Sequence, residues 1–162
     1  MSRRWAWISG WGIPPERFLE ACERTYPSDT HKVFPPNRDA VDQALALQPD
    51  CIGAYSLGTL LLLCEQQRIP ESVECILFAP ILRFCQEDQC GGTTPRSSLQ
   101  MLQRRLHEDP QKALSVFYYL AGLSDHMNGD LPYSHEDLIW GLEALDQRQA
   151  PMPDTRFRAI IG

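Results

Sequence analysis

The chain has 162 residues, of which 43% are hydrophobic and 22% are charged, a composition typical of one soluble domain with a buried core. Its formal net charge of −6 argues against a general nucleic-acid-binding surface, which requires clustered basic residues. No apolar stretch reaches the roughly 18 residues that span a membrane, and the run at residues 5–8 is too short for a signal-peptide core. We therefore expect a cytoplasmic protein that contacts neither nucleic acid nor a membrane.

The first half of the sequence alternates short apolar runs with amphipathic segments. A helix is predicted to open at Pro14-Pro15-Glu16, and two more are predicted at residues 39–47 and 57–67. Between them the sequence predicts strands at residues 4–9, 31–34, 50–55 and 73–79. Such alternation requires a parallel sheet with flanking helices, and catalytic groups then belong at the carboxyl ends of the strands. The predicted fold class is therefore α/β.

The sequence pattern changes after Pro80, where polar loops separate predicted helical segments. Helices are predicted at residues 97–106, 111–121 and 135–145, and an apolar strand is predicted at residues 157–162. This order indicates a helical insertion between two parts of one core. The predicted organisation is the N-terminal part of the core at residues 1–80, a helical cap at residues 81–148 and a return to the core at residues 149–162.

Most of the cysteines lie in apolar periodic runs, where a free thiol behaves as a small hydrophobic side chain. There are six: Cys22, Cys51, Cys64, Cys75, Cys85 and Cys90. Cys85 and Cys90 are the pair separated by a short loop, but no nearby histidine or second cysteine pair completes a zinc motif. We therefore expect reduced cysteines, no metal and no cofactor.

Ser56 lies between an apolar strand and an apolar helical run, in the segment Ile-Gly-Ala-Tyr-Ser-Leu-Gly at residues 52–58. A sharp strand-to-helix turn, or elbow, exposes a serine Oγ above the sheet and brings backbone N–H groups close to it. Gly58 lets the helix approach the sheet, and Ala54 stands where the commonest form of this motif has a glycine. Ser56 is therefore the candidate nucleophile. The alternative is that its side chain only caps the following helix.

An acyl-transfer site also needs hydrogen-bond donors for the negative oxygen of the tetrahedral intermediate. These are typically the N–H after the nucleophile and an N–H from an early strand-to-helix loop. Ser9-Gly10-Trp11-Gly12, which we name the Trp11 loop, follows the first predicted strand. The backbone N–H groups of Trp11 and Leu57 are therefore the candidate oxyanion donors.

The order of these segments resembles the α/β-hydrolase superfamily across residues 5–162, and most of all its pimeloyl-acyl-carrier-protein methyl ester carboxylesterases of biotin synthesis. The resemblance rests on Gly-Trp-Gly at residues 10–12, Tyr-Ser-Leu-Gly at 55–58 and Leu-Gln-Arg-Arg-Leu-His-Glu-Asp-Pro-Gln-Lys at 102–112. It implies an α/β-hydrolase core with a helical cap. It also implies a carboxylesterase in which Ser56 forms an acyl-enzyme on a small-molecule acyl ester.

The same resemblance implies that the cap covers the acyl chain and that its basic residues grip an acidic acyl carrier protein. Phe84, Phe117 and Tyr118 are the expected pocket residues, although an apolar helical stripe is more often plain core. The stretch at residues 96–112 carries a net charge of about +2. The candidate partner-binding residues within it are Arg104, Arg105 and Lys112. The alternative for these three is an ordinary solvated helix face.

In the family that the chain resembles, the acid of the catalytic triad follows the strand predicted at residues 157–162, and the histidine lies further on. The resemblance therefore implies a C-terminally truncated hydrolase. Asp125, His126 and His135 follow Ser56 in the order that a triad requires, but a loop or helix-cap role is the simpler expectation for them. Two functions remain open: an acyl ester hydrolase, and a catalytically inactive α/β-hydrolase fragment that binds an acyl group or a partner.

Overall fold

A computed structural model describes residues 1–123 and 129–160. Its centre is a five-stranded sheet in which all neighbouring strands are parallel, in the order β2-β1-β3-β4-β5. The strands are β1 (Arg4–Ile8), β2 (Thr30–Phe34), β3 (Cys51–Tyr55), β4 (Glu74–Phe78) and β5 (Phe157–Ile160). The prediction of a parallel sheet with flanking helices, and hence of an α/β fold, is confirmed.

Six α-helices accompany the sheet within the described residues, three before β4 and three between β4 and β5. They are α1 (Pro15–Thr25), α2 (Ala40–Ala46), α3 (Leu57–Cys64), α4 (Arg96–Glu108), α5 (Pro110–Leu120) and α6 (His135–Gln147). We call α4, α5 and α6 the cap helices. Each predicted helix is present, and its predicted bounds differ from the observed ones by at most three residues.

The largest of these differences is at the end of α3, which was expected to continue to Gln67. The buried side chain of Gln66 explains the early end, because its amide donates to Met152 O at 3.1 Å and accepts from Asp154 N at 3.2 Å. These partners lie more than 80 residues away in the chain. A tertiary contact therefore overrides the helical periodicity of the local sequence.

The three central strands β1, β3 and β4 are buried on both faces, which explains why they are almost continuously apolar, whereas the edge strands β2 and β5 are partly exposed. One face carries aliphatic side chains such as Ile8, Ile52 and Leu77, and they form one hydrophobic cluster with α2, α3 and residues of the cap helices. The other face carries Trp5 and Trp7, whose rings stack with their centroids 4.8 Å apart. Each fully buried large apolar side chain contributes about 1.5–3 kcal/mol, so this double burial is the main stabilisation of the sheet.

The order of the strands produces a crevice at one edge of the sheet. From β1 the chain runs outward to β2, and it then returns to β3 on the opposite side of β1. The carboxyl ends of β1 and β3 are therefore a topological switch point, where open α/β sheets bind their ligands. The Trp11 loop follows β1 and Ser56 follows β3, so the two candidate halves of the site meet at this point.

The remaining predictions about the fold concern the cysteines and the membrane. All six cysteines are free thiols, as expected. Between residues 1–123 and 129–160, no helix combines the length and apolar character needed to cross a bilayer. The same residues contain no cluster of three potential metal ligands.

Candidate active site

The backbone of Ser56 has a conformation that serine rarely adopts. Its φ of 52° and ψ of −116° place it in a sterically disfavoured region, between the last residue of β3 and the first residue of α3. For a residue with a Cβ atom, such a conformation costs of the order of 1–3 kcal/mol and persists only where the surrounding structure imposes it. Strain of this kind occurs at nucleophile elbows, where it lifts the serine Oγ out of the turn.

The alternative of a simple helix cap fails at Ser56. A capping serine accepts a hydrogen bond from a backbone N–H in the first turn of the helix, but the Ser56 side chain makes no such bond. Its backbone N–H instead donates to Phe78 O at 3.0 Å, which ties the elbow to the end of β4. The hydroxyl is thus not engaged in holding the helix, and the side chain is half-buried rather than enclosed.

Two neighbours of Ser56 fix the elbow in place. A Cβ atom at Gly58 would lie 2.3 Å from Ile8 O, so only glycine lets α3 begin this close to β1. The buried Thr59 hydroxyl donates to Ser56 O at 2.6 Å and accepts from Ile81 N at 2.9 Å. The sequence motif identified Gly58. It did not identify Thr59, because a threonine within an apolar helix carries no local signal of such a role.

The Trp11 loop lies directly against the elbow. A Cβ atom at Gly10 would approach Ser56 Cβ to 3.2 Å and a ring carbon of Tyr55 to 2.8 Å. Ser9, at the start of the loop, is fully buried and its N–H donates to Phe34 O at 3.0 Å. The loop and the elbow therefore form one surface. Their central residues, Trp11 and Ser56, are 45 positions apart in the sequence.

The two candidate oxyanion donors share an unusual property. Leu57 is fully buried and Trp11 is only 4% exposed, yet neither backbone N–H donates to an acceptor among the described residues. Buried N–H groups without a partner are rare in folded proteins, and each one is a potential donor to a ligand. The oxyanion role of Trp11 and Leu57 stays a prediction, and this pair of unused donors fits it.

Ser56 opens onto a cavity of about 430 Å³ at the carboxyl edge of the sheet. Its walls come from residues 79–84, residues 90–94 and the pair Met152 and Pro153. Phe84, one of the expected pocket residues, is part of this wall. The contribution of residues 152 and 153 was not expected, because the sequence marks them only as a chain-breaking cluster.

Phe117 and Tyr118 are not among the described residues that line this cavity; they contact the Trp11 loop instead. The Phe117 ring meets the Trp11 ring edge-on, with centroids 4.8 Å apart. Tyr118 is 4% exposed, and its hydroxyl donates to Gly12 O at 2.6 Å. These contacts are with the Trp11 loop, and the expected pocket role of the two aromatic residues stays a prediction.

Two of the described histidines, His31 and His135, have hydrogen-bond partners away from Ser56. His31 accepts from the Trp7 indole at 3.1 Å, and its other ring nitrogen lies 2.9 Å from Tyr26 O. His135 lies 3.0 Å from Leu106 O, between α6 and α4. His107 is exposed on α4. Within residues 1–123 and 129–160, no histidine forms a hydrogen bond to Ser56.

The other two residues considered for a triad, at positions 125 and 126, lie outside the described residues. The carboxyl end of β5 reaches the same edge as Ser56, since Ile160 pairs with Phe78 and Ile160 O accepts from Ala79 N at 3.1 Å.

The candidate partner-binding residues lie together around the junction of α4 and α5. Arg104, Arg105 and Lys112 are all exposed. None of them forms an ion pair with another described residue. Their positive charges are therefore available to an acidic partner, and they fit a solvated helix face equally well.

No protein-family model matches the sequence, and no curated protein is significantly similar to it. Among solved structures, the chain is similar to an N-formylmaleamic acid deformylase from Pseudomonas putida, with 12% identity and a TM-score of 0.43. The alignment covers 99% of this chain and 84% of the deformylase. A likeness at this level identifies neither a family nor an activity for this chain.

Proposed function

We propose that this protein is a serine hydrolase that cleaves an acyl ester through Ser56. Ser56 Oγ bonds to the carbonyl carbon, the π electron pair moves onto oxygen, and the N–H groups of Trp11 and Leu57 stabilise the resulting oxyanion. Collapse of this intermediate breaks the bond to the leaving alcohol, which receives the proton lost by Oγ. Water then attacks the acyl-enzyme in the same way and releases the carboxylic acid and the free serine.

The observation that carries this proposal is the conformation of Ser56 at the wall of a cavity. A residue that only joined β3 to α3 would gain nothing from a φ of 52° and ψ of −116°, and glycine would fill that place without strain. The strain is retained in a serine whose hydroxyl makes no capping bond and which lines an open cavity. A nucleophile requires this combination.

A fluorophosphonate probe with a fluorescent reporter tests the nucleophile directly. The wild-type protein should be labelled, and Ser56→Ala should not. Ser98→Ala, which changes an exposed serine on α4, is the matched control and should be labelled like the wild type. Folded wild-type protein that stays unlabelled, or label that persists in Ser56→Ala, would contradict the proposal.

A second candidate function is an inactive binder of acyl groups, and the partners of the described histidines favour it. General-base assistance contributes about 10²–10⁴-fold to such reactions, and no described histidine supplies it to Ser56. In this case methyl hexanoate should raise the melting temperature of wild type and Ser56→Ala equally, with no fluorophosphonate labelling of either protein. Labelling of wild type alone favours the hydrolase.

The specific substrate that we propose is a pimeloyl methyl ester carried by an acyl carrier protein. The support is the sequence resemblance, together with the charges of Arg104, Arg105 and Lys112, which are exposed and form no ion pair with another described residue. Replacing Arg104 and Arg105 together by glutamate should weaken binding to an acyl carrier protein at least about tenfold at low salt, because like charges then face each other. Arg24→Glu, an exposed change at the end of α1, is the control.

A further inference from the structure

Both backbone polar groups of Gly12 are hydrogen-bonded to tyrosines from the part of the chain that contains the cap helices. Its N–H donates to the hydroxyl of Tyr133 at 2.8 Å, and its carbonyl accepts from the hydroxyl of Tyr118 at 2.6 Å. Tyr118 lies on α5, and Tyr133 precedes α6. Both partners are more than 100 residues from Gly12 in sequence, so these bonds join the cap region to the first loop of the sheet.

Aromatic packing holds the same loop from a third direction. Gly12 has a φ of +72°, and a Cβ atom there would lie 3.1 Å from the Phe117 ring. The indole N–H of Trp11 donates to Leu138 O at 2.8 Å, which attaches the side chain to α6. Because α5, α6 and the segment between them each contact the loop, it cannot move independently of the cap helices.

Gly10 and Gly12, the residues on either side of Trp11, are thus fixed to different parts of the molecule. Gly10 lies against Ser56 Cβ, whereas Gly12 is bonded to the two tyrosines. The backbone N–H of Trp11 lies between these two attachments, and it has no acceptor among the described residues. Its position is therefore set jointly by the elbow and by the cap.

We propose that Tyr118 and Tyr133 are positioning residues, which clamp Gly12 so that the cap sets the position of the Trp11 N–H beside Ser56. The inference rests on the proposed function, because the clamp matters for chemistry only if that N–H stabilises an oxyanion. Such donors act only when they are preorganised at hydrogen-bonding distance from the developing charge. A displacement of about 1 Å in a catalytic group can cost about 10²-fold in rate.

The state of the two phenols is compatible with a permanent clamp. Burial raises the pKa of Tyr118 to about 12, and burial raises the pKa of Tyr133 well above its ordinary range. Both hydroxyls therefore keep their protons at neutral and mildly alkaline pH, and Tyr118 remains a donor to Gly12 O.

The test compares Tyr118→Phe, Tyr133→Phe and the double variant with Tyr119→Phe. Tyr119 is the adjacent residue on α5 but is 77% exposed, which makes it the matched control. The fluorophosphonate labelling of Ser56 is resolved into an affinity and a maximal rate. We expect the maximal rate to fall about tenfold in each single variant and about 10²-fold in the double variant, with little change in affinity, since the loss of one oxyanion donor costs about 10²–10³-fold.

A purely structural role would change thermal stability and affinity but leave the maximal labelling rate of the folded protein intact, and that result would overturn the inference. A second measurement does not require labelling. Backbone amide hydrogen exchange at Trp11 and Gly12 should be at least about tenfold faster in Tyr133→Phe, which removes the acceptor of the Gly12 N–H.

If amide hydrogen exchange at residues 11 and 12 is the same in Tyr133→Phe as in the wild type, the proposed clamp is wrong, whatever the fluorophosphonate labelling of the wild type shows. Faster exchange confined to this loop, in a protein that fluorophosphonate never labels, would leave the clamp standing and reject the hydrolase. The failure of the inference and the failure of the proposed function are therefore distinguishable.

Discussion

The two halves of the candidate site are held in different ways. The elbow at Ser56 is built from neighbouring residues, because Gly58 and Thr59 belong to the same turn. The backbone of the elbow contacts the ends of β1 and β4. The Trp11 loop is held by two tyrosine side chains and one backbone carbonyl that lie more than 100 residues away. The nucleophile half should therefore respond mainly to local changes, and the oxyanion half to changes in the cap helices.

The largest effect on stability should come from adding a side chain at Gly58, where α3 packs closely against the end of β1. In Gly58→Ala the new Cβ would lie 2.3 Å from Ile8 O and 2.8 Å from Ser9 O, and these backbone atoms cannot rotate away. We expect a loss of about 3 kcal/mol in the free energy of unfolding, measured by urea titration. Gly122→Ala is a poor control because of its own positive φ, so Ala121→Ser at the end of α5 serves instead. A loss below about 1 kcal/mol would mean that α3 can shift.

A change at Gly12 is expected to have a smaller effect on stability but a clear effect on the oxyanion half. Gly12→Ala places a Cβ at a φ of +72° and 3.1 Å from the Phe117 ring, which costs about 1–2 kcal/mol. Fluorophosphonate labelling of the folded variant should slow about tenfold, since the Trp11 loop moves. Labelling at the wild-type rate would show that the loop position is not set at Gly12.

Relieving the strain at the nucleophile should separate stability from chemistry. Ser56→Gly removes the Cβ from a φ of 52° and ψ of −116°, so it should be about 1 kcal/mol more stable than Ser56→Ala, which keeps the Cβ. Neither variant should be labelled. Urea titrations of the pair at neutral pH measure the difference, and equal stabilities would argue against strain at the elbow.

The last effect is absent at neutral pH and should appear only at alkaline pH. The folded state raises the pKa of Tyr118 from 10.0 to about 12 by burial, so its contribution to stability is full below pH 10 and is lost as the pH rises to 12. The stability difference between wild type and Tyr118→Phe should therefore narrow across this window. Tyr119→Phe should track the wild type. A constant difference from pH 8 to pH 12 would contradict the burial of the Tyr118 phenol.

Much of the fold could be predicted because its signals are local. Apolar runs and helical periodicity placed every strand and α-helix of the described residues, and the order of the first elements required a parallel sheet. The turn at Ser56 was predictable for the same reason, since the strand, the serine and Gly58 are contiguous. The end of α3 was not, because Gln66 is held by Met152 and Asp154.

The cavity wall could be predicted only in part. Phe84 lies six residues after the end of β4, so it stays near the carboxyl edge of that strand. Met152 and Pro153, in the segment before β5, also line the cavity, and no local sequence pattern predicts this contact. For Phe117 and Tyr118 the sequence shows an apolar helix face, but it does not show that this face packs on the Trp11 loop.

By itself, the sequence determined the α/β class, the parallel sheet and a strained serine between β3 and α3, because backbone conformation and burial follow from residues a few positions apart. Only the tertiary structure decided that two tyrosines and α6 hold the Trp11 loop, and that Ser56 lines a cavity to which residues 152 and 153 also contribute. Those contacts join segments distant in the chain, and their geometry depends on how the cap helices pack on the sheet rather than on any local pattern.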